Sequence, residues 1–468
     1  MKNNPVWGIL GFLFILFLAP SLASGQSDVK FGPTTTTNHF PDSMVFESNV
    51  TSQGSPIVKA EFVYFLDRYG APDSTTREKI TIQPGQNVAL SYTWDTKDAT
   101  VIPWEPIVYH WKVTDADGAT YESEPESVRY VDNRFEWKER KNDEVIVLWH
   151  NKPDIFGDKV FEIAQKAIQR QKKLFGVTLG IPIRIIVYNS QQEFGSWHSV
   201  ALDWVGGEAF APFGITTQIV TSRLPDSHWL TAVVPHEISH LYLYQAAYNP
   251  TAPIPVWLNE GIAQYNQFSD DGDEYLLDQA VKENKLIPLT SLAAGFGSYD
   301  EDRIRLSYVE GLSAVRYLVQ TYGEAGLTRL MQAYKQGLPT DEAFKTALGV
   351  DMGTFQQDWA VSLGVSREAM ITPTPWPLPT FPPSPTPNII HKKTRTPAPE
   401  NIVQNTVNTP TPTSAPTATK APASPTPAPT PTKPSKNNRS APFCPGLFLL
   451  LPLPLMAIFL QKHHAGRQ

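Results

Sequence analysis

Residues 233–243 read Val233-Val234-Pro235-His236-Glu237-Ile238-Ser239-His240-Leu241-Tyr242-Leu243, and Pro255-Val256-Trp257-Leu258-Asn259-Glu260-Gly261 follows a short way on. On an α-helix, positions i and i+4 share a face, so His236 and His240 can aim two imidazoles at one ion. Glu237 projects beside them, where a carboxylate can take a proton from a nearby water. The flanking Val233, Val234, Leu241 and Leu243 suit a buried helix. A helix that merely carries two surface histidines is the plain alternative, and a third ligand weakens it. No histidine lies between residue 241 and the Pro-rich segment that begins near residue 371, so a carboxylate must close the site. Glu260 supplies one, with nineteen residues separating it from His240. That gap suits a loop and a second helix packed on the first. Two His and one Glu leave a fourth position open, the catalytic arrangement for Zn2+. Pro235 precedes His236 directly. Mid-helix it would remove a donor and crowd the preceding turn, so the helix is expected to start there or to bend.

These two motifs together resemble those of the gluzincin zinc metallopeptidases, which include the thermolysin and aminopeptidase N types. The similarity is greatest to bacterial peptidase MA-like domains and spans roughly residues 135–364. It implies zinc held by His236, His240 and Glu260, a general base at Glu237, and a peptide or protein substrate. Tyr308-Val309-Glu310-Gly311 is similar to a Tyr-x-x-Gly stretch of aminopeptidase N relatives, whose tyrosine stabilises the oxyanion. The resemblance gives Tyr308 that role; a core tyrosine is the alternative. Those aminopeptidases also read the substrate's free amino end with Gly-x-Met-Glu-Asn. Here the comparable stretch is Gly206-Gly207-Glu208-Ala209-Phe210, without the Met and Asn, which puts amine recognition in doubt and leaves Glu208 as the remaining candidate. The strand could still pair with an extended substrate backbone.

Upstream, residues 27–133 read as strands. In residues 108–113, Tyr109, Trp111 and Val113 alternate with His110 and Lys112, the period of a half-buried strand. Asp117-Gly118 then gives a hairpin turn. Residues 57–69 and 79–94 carry similar patterns, and the whole resembles an immunoglobulin- or fibronectin-type β-sandwich. From residue 134 to about 366 the pattern changes. Residues 144–149 and 183–188 read as strands, 160–175 as a helix, and 205–213 with 216–221 as a further strand pair. From residue 229 to 363 nearly everything reads as helix. Strands first and helices after indicate an α+β domain. Asp115-Ala116-Asp117-Gly118 and Asp270-Asp271-Gly272-Asp273-Glu274 could each bind calcium, but a hairpin turn and a helix cap explain them more simply. His198 and His228 read as ordinary surface or packing residues.

The chain of 468 residues has a net charge of -7, with both signs mixed along it, which excludes the basic stripe of a nucleic-acid binder. Residues 6–19 are apolar after Lys2, and Ser21-Leu22-Ala23 follows Pro20, so residues 1–23 read as a signal peptide. Many of the 43 prolines fall in residues 371–440, a Pro/Thr-rich stretch expected to stay disordered as a stalk. Residues 441–461 are apolar and precede Lys462, His463, His464 and Arg467, so they read as a transmembrane helix or as a processed sorting tail. Cys444 in that tail is the one cysteine, so no disulfide braces the outer domains. The expected protein is a multidomain zinc metallopeptidase, exported and anchored at the cell surface by its C-terminus. An inactive stalked binding or adhesion protein with a peptidase fold is the alternative.

Overall fold

The computed structural model describes residues 28–66, 75–97, 101–197, 206–269, 272–296 and 300–367. The leader, the Pro/Thr-rich stretch and the apolar tail lie outside the described residues, as do His198, Asp270 and Asp271. Among the described residues no helix is long and apolar enough to cross a membrane.

The N-terminal part is β-rich. Its strands are β1 (Val29–Phe31), β2 (Thr35–His39), β3 (Ser43–Ser52), β4 (Ile57–Leu66), β5 (Thr76–Ile80), β6 (Asn87–Asp95), β7 (Pro106–Asp115), β8 (Thr120–Glu122) and β9 (Glu126–Arg129). One antiparallel sheet joins β1, β2 and β6 to β3; the other runs β5-β4-β7-β8, with β9 also on β7. The alternation of β7 holds along its whole length, with Ile107, Tyr109, Trp111, Val113 and Asp115 buried. Phe46 of the first sheet meets Phe62 and Tyr109 of the second at ring-centroid distances of 4.7 and 4.9 Å, which closes the core between them. The pattern read over residues 79–94 is two strands. Pro84 and Gly85 interrupt it, and the chain passes from the β4 sheet to the β3 sheet at that break. Asp115 accepts from the Asp117 and Ala119 amides and the Tyr121 hydroxyl, and Gly118 has φ 87°, so this stretch is a hairpin turn.

The second part is α+β. Its sheet contains β10 (Lys138–Lys141), β11 (Val145–Trp149) and, after helix α1 (Asp154–Phe175), β12 (Ile183–Tyr188). Helix α2 (Gln191–Gly195) precedes β13 (Gly207–Phe210) and β14 (Ile215–Ile219). The order is β10-β11-β12-β14-β13; the three central strands are parallel and both edges antiparallel. β12 is buried at every position, as a strand covered on both faces must be. Expected strands at 205–213 and 216–221 are shorter, because Ala211–Phe213 forms a 3-10 turn containing Pro212 and Gly214 follows with φ 63°. The remaining elements are α3 (Ser227–Ala247), α4 (Val256–Tyr265), α5 (Glu274–Lys282), α6 (Glu301–Lys335), α7 (Thr340–Leu348) and α8 (Met352–Ser362), with α6 broken at Gly323.

Each sheet face has its own cover. Val145, Val147, Ile183, Ile185 and Val187 point into a core shared with the helices. Leu148, Ile186, Tyr188, Ile215 and Ile219 point the other way and pack with Ile102 and Trp104 from the N-terminal part. Trp104 meets Trp137 edge-on at 4.9 Å in that seam. The β-rich part is therefore the second cover of the sheet that carries β13.

Candidate metal centre

Helix α3 begins at Ser227, two turns before Pro235, and runs through it. Asp226 caps it, accepting from the His228 and Trp229 amides at 3.1 and 3.3 Å. Of the two expectations at Pro235, a helix start or a bend, the start is corrected; the cap and the buried flanks outweigh one lost donor. His236, Glu237 and His240 are all buried on it. Helix α4 opens after Pro255 and buries Trp257, Leu258 and Glu260 against α3 and α6.

This packing brings His236, His240 and Glu260 together, with one ligand atom from each lying within 4.8 Å of the others. Glu260 Oε2 is 3.4 Å from His236 Nε2 and 3.7 Å from His240 Nε2. The outer nitrogens are engaged elsewhere. His240 Nδ1 donates to Asn259 Oδ1 at 3.1 Å, and His236 Nδ1 lies 3.0 Å from the Gln267 side-chain amide. A half-turn of that amide presents its oxygen to Nδ1–H, the pairing that leaves Nε2 a lone pair for a cation. Burial pushes His240 down to about 4, against the pull of Glu260, so its imidazole is neutral at physiological pH. Two imidazoles and one carboxylate, all buried and aimed at one point, fit a zinc ion.

Glu237 faces β13. A Cβ built on Gly207 would lie 2.8 Å from Glu237 Oε1 and 3.0 Å from Val233 Cγ2, so any larger residue here would displace the Glu237 carboxylate. β13 is an edge strand. The Ile219 amide bonds the Gly206 carbonyl at 2.8 Å, and in an antiparallel pair bonded and non-bonded positions alternate. The backbone groups of Gly207 and Ala209 therefore face the open edge. Gly207 and Ala209 lie on the α3 side of the sheet, while Phe210 packs on the opposite side against Trp197. Glu208 shares the side of Phe210, so its carboxylate is turned away from the metal helix.

Tyr308 lies buried on α6, its ring edge-on to Phe296 at 5.0 Å. It sits one turn before Gly311, where α6 touches α4 beside Glu260. A Cβ on Gly261 would meet the Gly311 carbonyl oxygen at 2.3 Å. Next to it, Glu310 takes the Ile287 amide on both carboxylate oxygens, at 3.0 and 3.2 Å, and burial raises its carboxyl well above the ordinary range. Lys152 leaves the end of β11 and donates to the carbonyls of Val220 and Ser222, both at 2.7 Å, fixing the chain that leads into α3; burial pushes its ammonium down to about 8. Sequence reasoning missed Asn259, Gln267, Glu310 and the Gly207 and Gly261 contacts. Asn259 sits in the quoted motif itself; the others depend on which elements meet in space. Asp273, read as a helix cap, is paired with Arg305.

Residues 163–364 match the family model described as Peptidase MA superfamily. A search of curated proteins finds no match. Among solved structures, the chain is similar to an M1 zinc metallopeptidase from Deinococcus radiodurans, captured with a Tyr-Ser-Ala substrate: 13% identity, 71% of this chain and 92% of that one, TM-score 0.32. It is similar to an aminopeptidase N family protein from Idiomarina loihiensis at 9% identity, over 71% and 75% of the two chains, TM-score 0.35. OgpA from Akkermansia muciniphila, crystallised with an O-glycopeptide substrate, matches at 16% identity over 23% of this chain and 30% of its own, TM-score 0.18. The chain thus spans less than a third of OgpA.

Proposed function

We propose that the protein is a zinc metallopeptidase that hydrolyses peptide bonds, a reading supported by the match of residues 163–364 to the Peptidase MA superfamily model. The observation that carries this reading is the convergence of His236, His240 and Glu260 to within 4.8 Å, with Glu237 buried beside them. Zinc held by these three side chains would supply Lewis acidity and a lowered water pKa. Glu237 takes the proton of the attacking water and later returns it to the leaving amine. Tyr308 donates its hydroxyl to the developing oxyanion. An extended substrate lies along β13, bonded to the backbone of Gly207 and Ala209. The β-rich part, a sandwich of the immunoglobulin or fibronectin kind, supports the sheet from behind. The leader and the apolar tail support export and C-terminal anchoring at the cell surface, with residues 371–440 as the stalk.

Glu237→Gln tests the chemistry. The carboxamide keeps the shape and loses the base, so zinc content and folding should match wild type while peptide turnover falls by about 10²–10⁴-fold. Wild-type turnover by this variant would refute the mechanism. A zinc-loaded wild type that cleaves nothing in a peptide library would favour the inactive binding protein.

A further inference from the structure

The four residues after α4 run back along α3 and touch it at successive turns. Asn266 Nδ2 donates to Ser239 Oγ at 3.0 Å, and the Gln267 amide meets His236 Nδ1 at 3.0 Å. The Phe268 amide donates to the Thr231 carbonyl at 2.9 Å, and Ser269 Oγ donates to the His228 carbonyl at 2.9 Å. The third of these contacts is unusual. In an unbroken helix the carbonyl of residue 231 accepts from the amide of residue 235. Residue 235 is proline and has no amide hydrogen, and its ring pushes the residue 231 carbonyl aside. The carbonyl of half-buried Thr231, left without its helical donor, takes one from outside the helix, the Phe268 amide. The Phe268 side chain is 41% exposed, so the backbone bond, more than apolar burial, holds this residue on α3.

We infer that Pro235 is a positioning residue for the metal centre: the carbonyl it frees docks residues 266–269 on α3, and the docked segment holds Gln267 against His236. The inference rests on the zinc reading above. Gln267 acts by fixing the ring orientation and the tautomer that turns Nε2 toward Glu260. Such an outer partner contributes about 10–100-fold in metal affinity. Its neighbours in the segment explain how a side chain beyond the end of α4 is held firmly enough to do this.

The proposal makes a prediction that a merely structural proline would not. Pro235→Ala returns an amide to the helix, which satisfies Thr231 internally and should raise the melting temperature of the metal-free full chain. It should also loosen the segment, seen as faster hydrogen exchange of the Phe268 amide, and weaken zinc binding, measured by competition with a chromophoric chelator. Gln267→Ala should weaken zinc by about 10–100-fold without moving the melting temperature of the metal-free chain. Gln267→Glu, which keeps an acceptor for Nδ1–H, should retain wild-type affinity. Unchanged Phe268 exchange together with unchanged zinc affinity in Pro235→Ala would overturn the inference. A wild type that binds no zinc would instead sink the metal reading, and exchange at Phe268, read on the metal-free chain, still decides the docking.

Discussion

Substituting Gly261 by alanine tests the packing that sets Glu260 in place. The added Cβ would lie 2.3 Å from the Gly311 carbonyl oxygen, 2.5 Å from the Gly311 carbonyl carbon and 2.9 Å from Val315 Cγ2. The first two are backbone atoms inside α6 and cannot swing away. An ordinary contact begins at 3.4 Å, so α4 and α6 must separate by roughly 1 Å at this point. Overpacking of this kind costs about 1–3 kcal/mol, and the rigidity of the contact puts it near the top of that range. Alanine in mid-helix returns about 1 kcal/mol in propensity. The clash wins, and the net loss is about 2 kcal/mol. For a domain of this size that lowers the melting temperature by about 4–8 °C. Glu260 is the neighbouring residue, so the same displacement draws its carboxylate off the two imidazoles and zinc affinity falls as well. Thermal melts with and without a zinc chelator, with zinc content on the same samples, measure both effects. Gly353→Ala is the control, since its Cβ would meet only Asp351 Oδ1 at 3.6 Å, and it should not lower the melting temperature. If Gly261→Ala melts and binds zinc as wild type does, the helix contact does not set the site and the argument fails.

Three further outcomes are expected. Tyr308→Phe should keep zinc and lower kcat by about 10²–10³-fold with little change in KM, because the hydroxyl acts on charge that develops only in the transition state; an unaltered kcat would return Tyr308 to the core. Lys152 holds its proton less tightly when folded, at about 8 against 10.5, so between those values the unfolded chain binds the extra proton and stability from this group rises with pH. Urea melts across that window should show the rise in wild type and a flatter profile in Lys152→Met; equal slopes would refute the burial argument. Deleting residues 441–468 should release the protein from membranes on fractionation, and continued association would place the anchor elsewhere.

The clustering of His236, His240 and Glu260 was legible because half of it depends on local geometry and the rest on elimination. His236 and His240 share a helix face by spacing alone, and Glu260 was the carboxylate that a missing third histidine required. β7 was legible for the same reason, since its alternation follows the pleat. What escaped depends on distant partners. Pro235 looks like a helix start until Phe268 is seen to supply the donor that Thr231 needs. Gly261 looks like a residue of a motif until Gly311 is found against it. Gln267 carries no sign of function in a polar stretch, because only the fold of residues 266–269 brings it to His236. Glu208 was the remaining candidate for reading the substrate's amino end through its place in the stretch of residues 206–210, and the alternation of β13 turns it to the other face.

These long-range features share a logic. Gly207, Gly261 and Gly311 each give up packing and backbone entropy, and Pro235 gives up a helical hydrogen bond. Every one of these concessions lies within a turn or a strand of His236, Glu237 or Glu260. Gly207 lets the edge strand rest on Glu237, Gly261 and Gly311 let α4 rest on α6, and Pro235 lets the segment after α4 rest on α3. At Gly261 and Gly311 backbone meets backbone, which fixes distance more tightly because it has no rotamer to relax. A site of three ligands needs that tightness, since His236 and His240 come from one helix and Glu260 from another, and nothing in either helix alone sets the gap between them. Zinc would then stabilise the folded chain by joining two elements that the fold has already brought close, which predicts that chelation lowers the melting temperature most in wild type and less in variants, such as Gly261→Ala, that hold α4 less firmly and bind zinc more weakly.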